Sequence, residues 1–288
     1  QYPEVLEMLL KDHTTQQNIY WATDSYADRG KGYQFKDAIT IDRITGDNGM
    51  IIRPRSVKTK DEQTKRSKDM AEVFTPSWVC NAQNNLIDDA WFGKQGVFNS
   101  ESPDHTWKAI SGKIEYPEGK TWKDYVRDTR LEITCGEAPY LVSRYVTVSG
   151  MPIELTERIG LLDRKLRVVS ENTETTGEFL DWCQEAYKNT YGYEWQGDNL
   201  LLAREALLFT FLDYYKAKFG EDPLLKSIQY IAYIISWNVW QMDGLKFCPP
   251  GEEPCEGDLF NPSNLCLIRD WRKPRDKQKI YFKSLLKS

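Results

Sequence analysis

No apolar run in this chain approaches the roughly 20 residues that a membrane span needs. The longest candidate, Ile228–Trp240, is interrupted by Ser236 and Asn238 and reads as a buried element. The opening QYPEVLEMLLKDH lacks the basic flank and small-residue cleavage site of a signal peptide, so a cytoplasmic location is expected. Internal repeats and low-complexity tracts are missing too. A basic excess is also lacking: the formal net charge is −5, which speaks against a dedicated non-specific nucleic-acid binder. The six cysteines (80, 135, 183, 248, 255 and 266) are too scattered for a disulfide framework. Cys248, Cys255 and Cys266 do not follow a zinc spacing and lack a fourth ligand, so free thiols are expected and no metal.

What the chain does have is a length of 288 residues, 10 Trp, 16 Tyr and 28% charged residues, a globular composition with ample material for a core. Two basic segments, Arg53–Lys68 and Arg269–Lys287, stand out locally; each reads as a solvated charged stretch or as a phosphate-facing surface.

Along the chain, Val5, Leu6, Leu9 and Leu10 open with helical spacing, and Met50–Ile52 reads as a short strand. Lys58–Ala71 reads as a charged helix. Pro76 and Ser77 start another, with Trp78, Val79, Leu86 and Ile87 as its apolar face. Thr121 caps WKDYVRD. Arg130–Thr134 reads as a strand turning into a helix over about 139–145, and residues 154–171 as an amphipathic helix. Phe179–Thr190, Asp198–Phe219 and the apolar Leu225–Ser236 follow, with strands at Tyr191–Trp195, Asn238–Gln241 and Leu265–Ile268. Strands alternating with helices from 130 onward predict an α/β layer with a mostly parallel sheet.

In such a sheet, ligands sit outside the carboxyl ends of the strands. Glu132, Glu194 and Asp243 fall at three such ends. An acid closing the second strand suits a ribose diol, and one closing the third suits an exocyclic amine. The small residues around Cys135-Gly136-Glu137-Ala138 would let a ligand approach the backbone. Each acid alone reads first as a cap or turn residue; for three in succession the two readings stand level.

The order of four segments carries a resemblance: FTP (74–76), EITCGEAPYL (132–141), YGYEWQGDNLLLARE (191–205) and NVWQMDGL (238–245). Together they resemble the N6-adenine DNA methyltransferases of restriction–modification systems. AEVFTPSWVCNAQNNLIDDAWF and RIGLLDRKLRVV also resemble the M-type subunits of those systems, and the likeness covers roughly residues 71–271. It implies a Rossmann-like fold of the S-adenosylmethionine-dependent kind, incomplete at the C-terminus, over 71–288. A helical insertion at about 146–190 and an N-terminal α+β extension over 1–70 accompany it. Phe74, Thr75 and Pro76 would line the methionine end of S-adenosylmethionine. Glu132, Cys135 and Gly136 would form the turn beneath it. Glu194 with the adjoining Trp195 would take the ribose, and Asp243 the adenine amine. DNA and a partner subunit are the implied partners.

The chain departs from the family at Ile133, where proline is usual, and at Ala138, where a second glycine is usual. The Asn/Asp-Pro-Pro-aromatic tetrapeptide that holds a flipped adenine after the fourth strand is missing. Leu265–Ile268 would be that strand, which leaves Asp270 and Trp271 as the catalytic candidates. The resemblance therefore implies a subunit that is catalytically degenerate or dependent on a partner. The alternative is a non-enzymatic nucleic-acid- or protein-binding subunit on a remnant fold.

Overall fold

The computed structural model describes residues 2–70, 72, 75–257 and 262–287. Pro3, which needs no N–H donor in a first turn, opens α1 (Pro3–Leu10), and Val5, Leu9 and Leu10 go into the core. The chain then runs through isolated bridges, Lys11 to Asn18 and Tyr20 to Ala38. It continues to a single-turn α2 (Ile41–Ile44) and the charged α3 (Lys60–Met70). Met50–Ile52 is not a strand: Asn48–Ile51 closes a turn, and Ile51 is buried without a ladder partner.

Helix α4 (Ser77–Phe92) forms as expected but presents the opposite face. Trp78, Leu86 and Ile87 are 40%, 68% and 40% exposed, whereas Ser77, Cys80, Asn81, Asn84, Asp88 and Phe92 are buried. The buried stripe is mostly polar because each of its polar side chains finds at least one partner. Asn81 and Asn99 exchange side-chain hydrogen bonds of 3.0 and 2.8 Å, and Asn84 Nδ2 donates to the carbonyls of Tyr140 and Ile159. Asp88 accepts from Arg164 at 2.7 Å and from the Tyr125 hydroxyl at 3.0 Å. Next come the antiparallel pair β1 (Asn99–Glu101) and β2 (Trp107–Ala109). Helix α5 (Trp122–Arg127) follows, begun by a capping box between Thr121 and Asp124.

The centre is a small parallel sheet in the order β3 (Arg130–Glu132), β4 (Thr190–Glu194), β5 (Val239–Gln241). Between β3 and β4 lie α6 (Leu161–Asn172) and α7 (Thr176–Lys188), and between β4 and β5 lie α8 (Gly197–Phe219) and α9 (Leu225–Asn238). The expected helix over 139–145 is absent; successive turns take its place, since Gly136 and Ala138 have φ of 54° and 61°. The helix expected from 154 starts only at Leu161, after a 3-10 turn at Leu155–Glu157. Gly160 caps it where a Cβ would stand 2.3 Å from the Leu141 carbonyl oxygen.

The last expected strand is also reassigned. It is β6 (Leu267–Arg269), which pairs antiparallel with β7 (Lys279–Tyr281) and is no part of the parallel sheet. Ile268, Cys266 and Phe282 of this hairpin region pack with Tyr193, Trp240 and Met242 in a small cluster of their own. The main core is continuous from Val5 to Val239, so the first 70 residues share it with the rest.

Candidate functional site

The turn after β3 is built from backbone groups that two buried carboxylates collect. Glu132 accepts from the N–H of Leu141 at 3.1 Å and of Tyr140 at 3.4 Å. Glu194, at the end of β4, accepts from Gly136 N–H at 2.8 Å and from Gln196 N–H at 3.1 Å. Cys135 N–H donates to the Tyr193 carbonyl at 2.8 Å, extending the β3–β4 pairing into the turn. Thr134 and Ala138 adopt left-handed φ of 46° and 61°, a cost of about 1 kcal/mol or more each that this network holds in place. Burial is the main force on both acids. It drives the Glu132 carboxyl well above the usual range, aided by the nearby Glu194, and pushes Glu194 up to about 7 against its backbone donors.

A cavity of about 410 Å³ opens beside β3. Thr75 and the α4 side chains Gln83, Asn84 and Ile87 form one wall, and residues 131–137 with Tyr140 form the other. Of the expected cofactor residues, Thr75, Glu132, Cys135 and Gly136 border it, and Phe74 lies outside the described residues. Pro76 caps α4 beside Thr75, whose carbonyl accepts from the Thr147 hydroxyl at 2.9 Å. Leu131 of the edge strand β3 and Ile133 just beyond it are 42% and 62% exposed.

Glu194, Trp195 and Asp243 are not brought to this cavity. Residues 20–22 lie across the end of β4 instead. Trp195 Nε1 donates to the Ala22 carbonyl at 3.0 Å, and Gly197 N–H donates to Trp21. A Cβ on Gly197 would meet the Tyr20 carbonyl at 2.2 Å, so glycine is required there. The Gln241 side chain clamps the same segment, bonding Tyr20 through both its oxygen and its nitrogen. From the other side Arg66 of α3 reaches Gln196 at 2.7 Å, Asp198 at 2.9 Å and Glu72 at 2.6 Å. Asp243 caps its own turn, accepting from Leu245 and Lys246 at 2.8 and 3.1 Å. A ribose diol and an adenine amine need free acceptors along one crevice; here both Glu194 oxygens and Asp243 Oδ1 already serve backbone N–H groups, for the physical reason that buried N–H groups must be paired. As placed, these residues do not share one cavity: Thr75, Glu132, Cys135 and Gly136 border the one beside β3, and Glu194, Trp195 and Asp243 do not line it.

Asp270 and Trp271 stand at the other end of the sheet. Trp271 Nε1 donates to Asn238 Oδ1 at 2.8 Å, and Asn238 Nδ2 in turn bonds the carbonyls of Tyr187, Lys188 and Thr190, where β4 begins. Asp270 is bound by Arg272 at 2.8 Å, which holds its carboxyl below the usual range. The pair is therefore at the amino ends of β4 and β5, while Glu132, Gly136 and Glu194 are at the carboxyl ends. It takes no part in the β3 turn.

No family model, no curated protein and no solved structure matches this chain. Sequence reasoning missed Arg66, Gln196 and the segment 20–22, which together cover the end of β4. The basic run Arg53–Lys68 held part of that information, because Arg53, Arg55, Lys58 and Arg66 each meet a carboxylate within 4 Å. Nothing local announces which acids those are.

Proposed function

We propose that this chain is a methyltransferase-like subunit of a restriction–modification-type assembly that binds and does not itself transfer. It would be a scaffold of the N6-adenine DNA methyltransferase kind, with a Rossmann-like sheet of three parallel strands among the described residues, dependent on a partner subunit for any methylation of DNA. Support comes from three strands that run parallel in chain order, with an acid closing each of the first two and a glycine turn after the first. The observation that carries the non-transferring part is the position of Asp270 and Trp271 at the amino ends of the strands.

S-adenosylmethionine belongs to the proposal only through the cavity at Thr75, Glu132, Cys135 and Gly136. Those residues would hold the methionine end, and the bound molecule would supply an activated methyl group. The second reading, a binding subunit with no cofactor, is favoured by residues 20–22 covering Trp195 and Gly197.

Two measurements test the proposal. In calorimetric titration with S-adenosylmethionine, weak saturable heat that Ile87→Trp abolishes by filling the cavity supports the first reading. Complete absence of heat leaves the second. In a radiolabelled methyl-transfer assay on unmodified DNA, the isolated chain is expected to incorporate nothing; robust incorporation overturns the non-transferring assignment.

A further inference from the structure

The hairpin β6–β7 and helix α9 build a surface that neither the β3 turn nor its cavity uses. Residues 269–287 hold eight Lys and Arg against two Asp, in a chain whose net charge is −5. Asp270 is folded onto Arg272, and Lys283 pairs with Glu256 at 2.6 Å. Asp276 sits on the exposed turn between Arg275 and Lys277. Among the described residues no carboxylate pairs with Arg269, Lys273, Arg275, Lys277 or Lys279. Arg269 and Lys279 are moreover directly opposite each other across the antiparallel pair. Like charges in that position destabilise a hairpin, and among the described residues no ion pair relieves them.

Aromatic rings take the place of the missing anions. The Arg269 guanidinium lies 4.4 Å from the Trp271 ring centroid, 5.5 Å from Tyr233 and 5.7 Å from Trp237. Lys279 Nζ lies 5.5 Å from Trp237, and Lys188 Nζ lies 6.0 Å from Tyr230. Tyr230, Tyr233 and Trp237 share one face of α9 at helical spacing, with the two tyrosine rings stacked at 6.3 Å. Tyr230 is 37% exposed, and Tyr281, two residues along β7 from Lys279 and so on the same face, is 39% exposed. His13, stacked on Trp237 at 3.7 Å, reports the local field. Burial first, then Arg204, Lys11, Lys279 and Arg269, hold its pKa down to about 3.

We propose that this cationic and aromatic face binds single-stranded nucleic acid, with phosphates at Arg269, Lys279 and the turn cations and bases stacked on Tyr230 and Tyr281. Alternating charge and ring matches the alternation of phosphate and base along a strand. An acidic protein surface would use the cations and leave the rings idle. The site needs no S-adenosylmethionine and stands whether or not the methyltransferase reading does.

The test is fluorescence anisotropy with a labelled mixed-sequence strand of about 20 nucleotides, at about 50 and 200 mM salt. Binding that weakens tenfold or more with salt is expected. The double variant Lys277→Glu, Lys279→Glu is expected to bind at least about tenfold more weakly, and Tyr230→Ala about tenfold, with circular dichroism and Tm unchanged. Three results would overturn the proposal. One is no binding at low salt; another is a charge-reversed variant that binds like the parent. The third is polyglutamate, anionic vesicles or duplex DNA bound as tightly as the single strand with Tyr230→Ala silent.

Discussion

Glu194 and Glu205 illustrate how burial governs single residues in this protein. Glu194 is held by backbone donors, whereas burial alone pushes the half-buried Glu205 carboxyl on α8 up to about 7. A folded-state pKa above the unfolded value of about 4.3 means stability that is complete below about pH 4.3 and lost as pH rises through about 7. Asp163, raised to about 6 by burial, acts in the same direction. Glu205→Gln is expected to flatten the decline in urea stability between about pH 4.5 and 7.5. It should also raise stability at pH 8 by about 1 kcal/mol after allowance for partial exposure. Parallel pH curves for parent and variant would refute it. At this scale the strand-end acids Glu132, Glu194 and Asp243 were legible from strand and turn signals. Their partners were not, because a carboxylate's choice between a ligand and a backbone N–H depends on how the following turn folds.

At the scale of elements, α4 makes the sharpest case. Its start followed from Pro76 and Ser77, but its orientation could not be read from apolar spacing, since the buried stripe includes Asn81, Asn84 and Asp88. Those groups are acceptable inside only because Asn99, Arg164 and the Tyr140 carbonyl come from distant parts of the chain. Asp88→Ala would leave Arg164, itself 1% exposed, without its carboxylate. A loss of about 3–5 kcal/mol in urea denaturation is expected, as for a broken buried ion pair. A loss below about 1 kcal/mol would mean that Arg164 finds another acceptor. The turn after β3 teaches the same lesson: CGEAP signalled a bend, but its left-handed Ala138 and the missing helix over 139–145 depend on contacts with β4 and α6.

For the whole molecule, residues 2–22 are structural members of the core. Arg204, buried in α8, donates to the carbonyls of Leu9 and Lys11 as well as to Val239, joining α1 to the sheet. Burial lowers its pKa to about 10, so removing those acceptors would leave a poorly solvated cation and take Leu9, Leu10, Ile19 and Trp21 out of the core. Deletion of residues 2–22 is expected to abolish cooperative thermal unfolding; a sharp transition near the parental Tm would contradict this. The sequence by itself determined the alternation of helices and strands, the parallel sheet from Arg130 onward and the acids at its strand ends, because local periodicity and turn chemistry act over a few residues. Only the tertiary structure decided that β6 leaves the sheet to pair with β7, and that residues 20–22 and Arg66 cover the end of β4. It also decided that Trp271 sits at the amino ends of the strands. Those outcomes depend on side chains far apart in the chain meeting buried polar groups that must be paired.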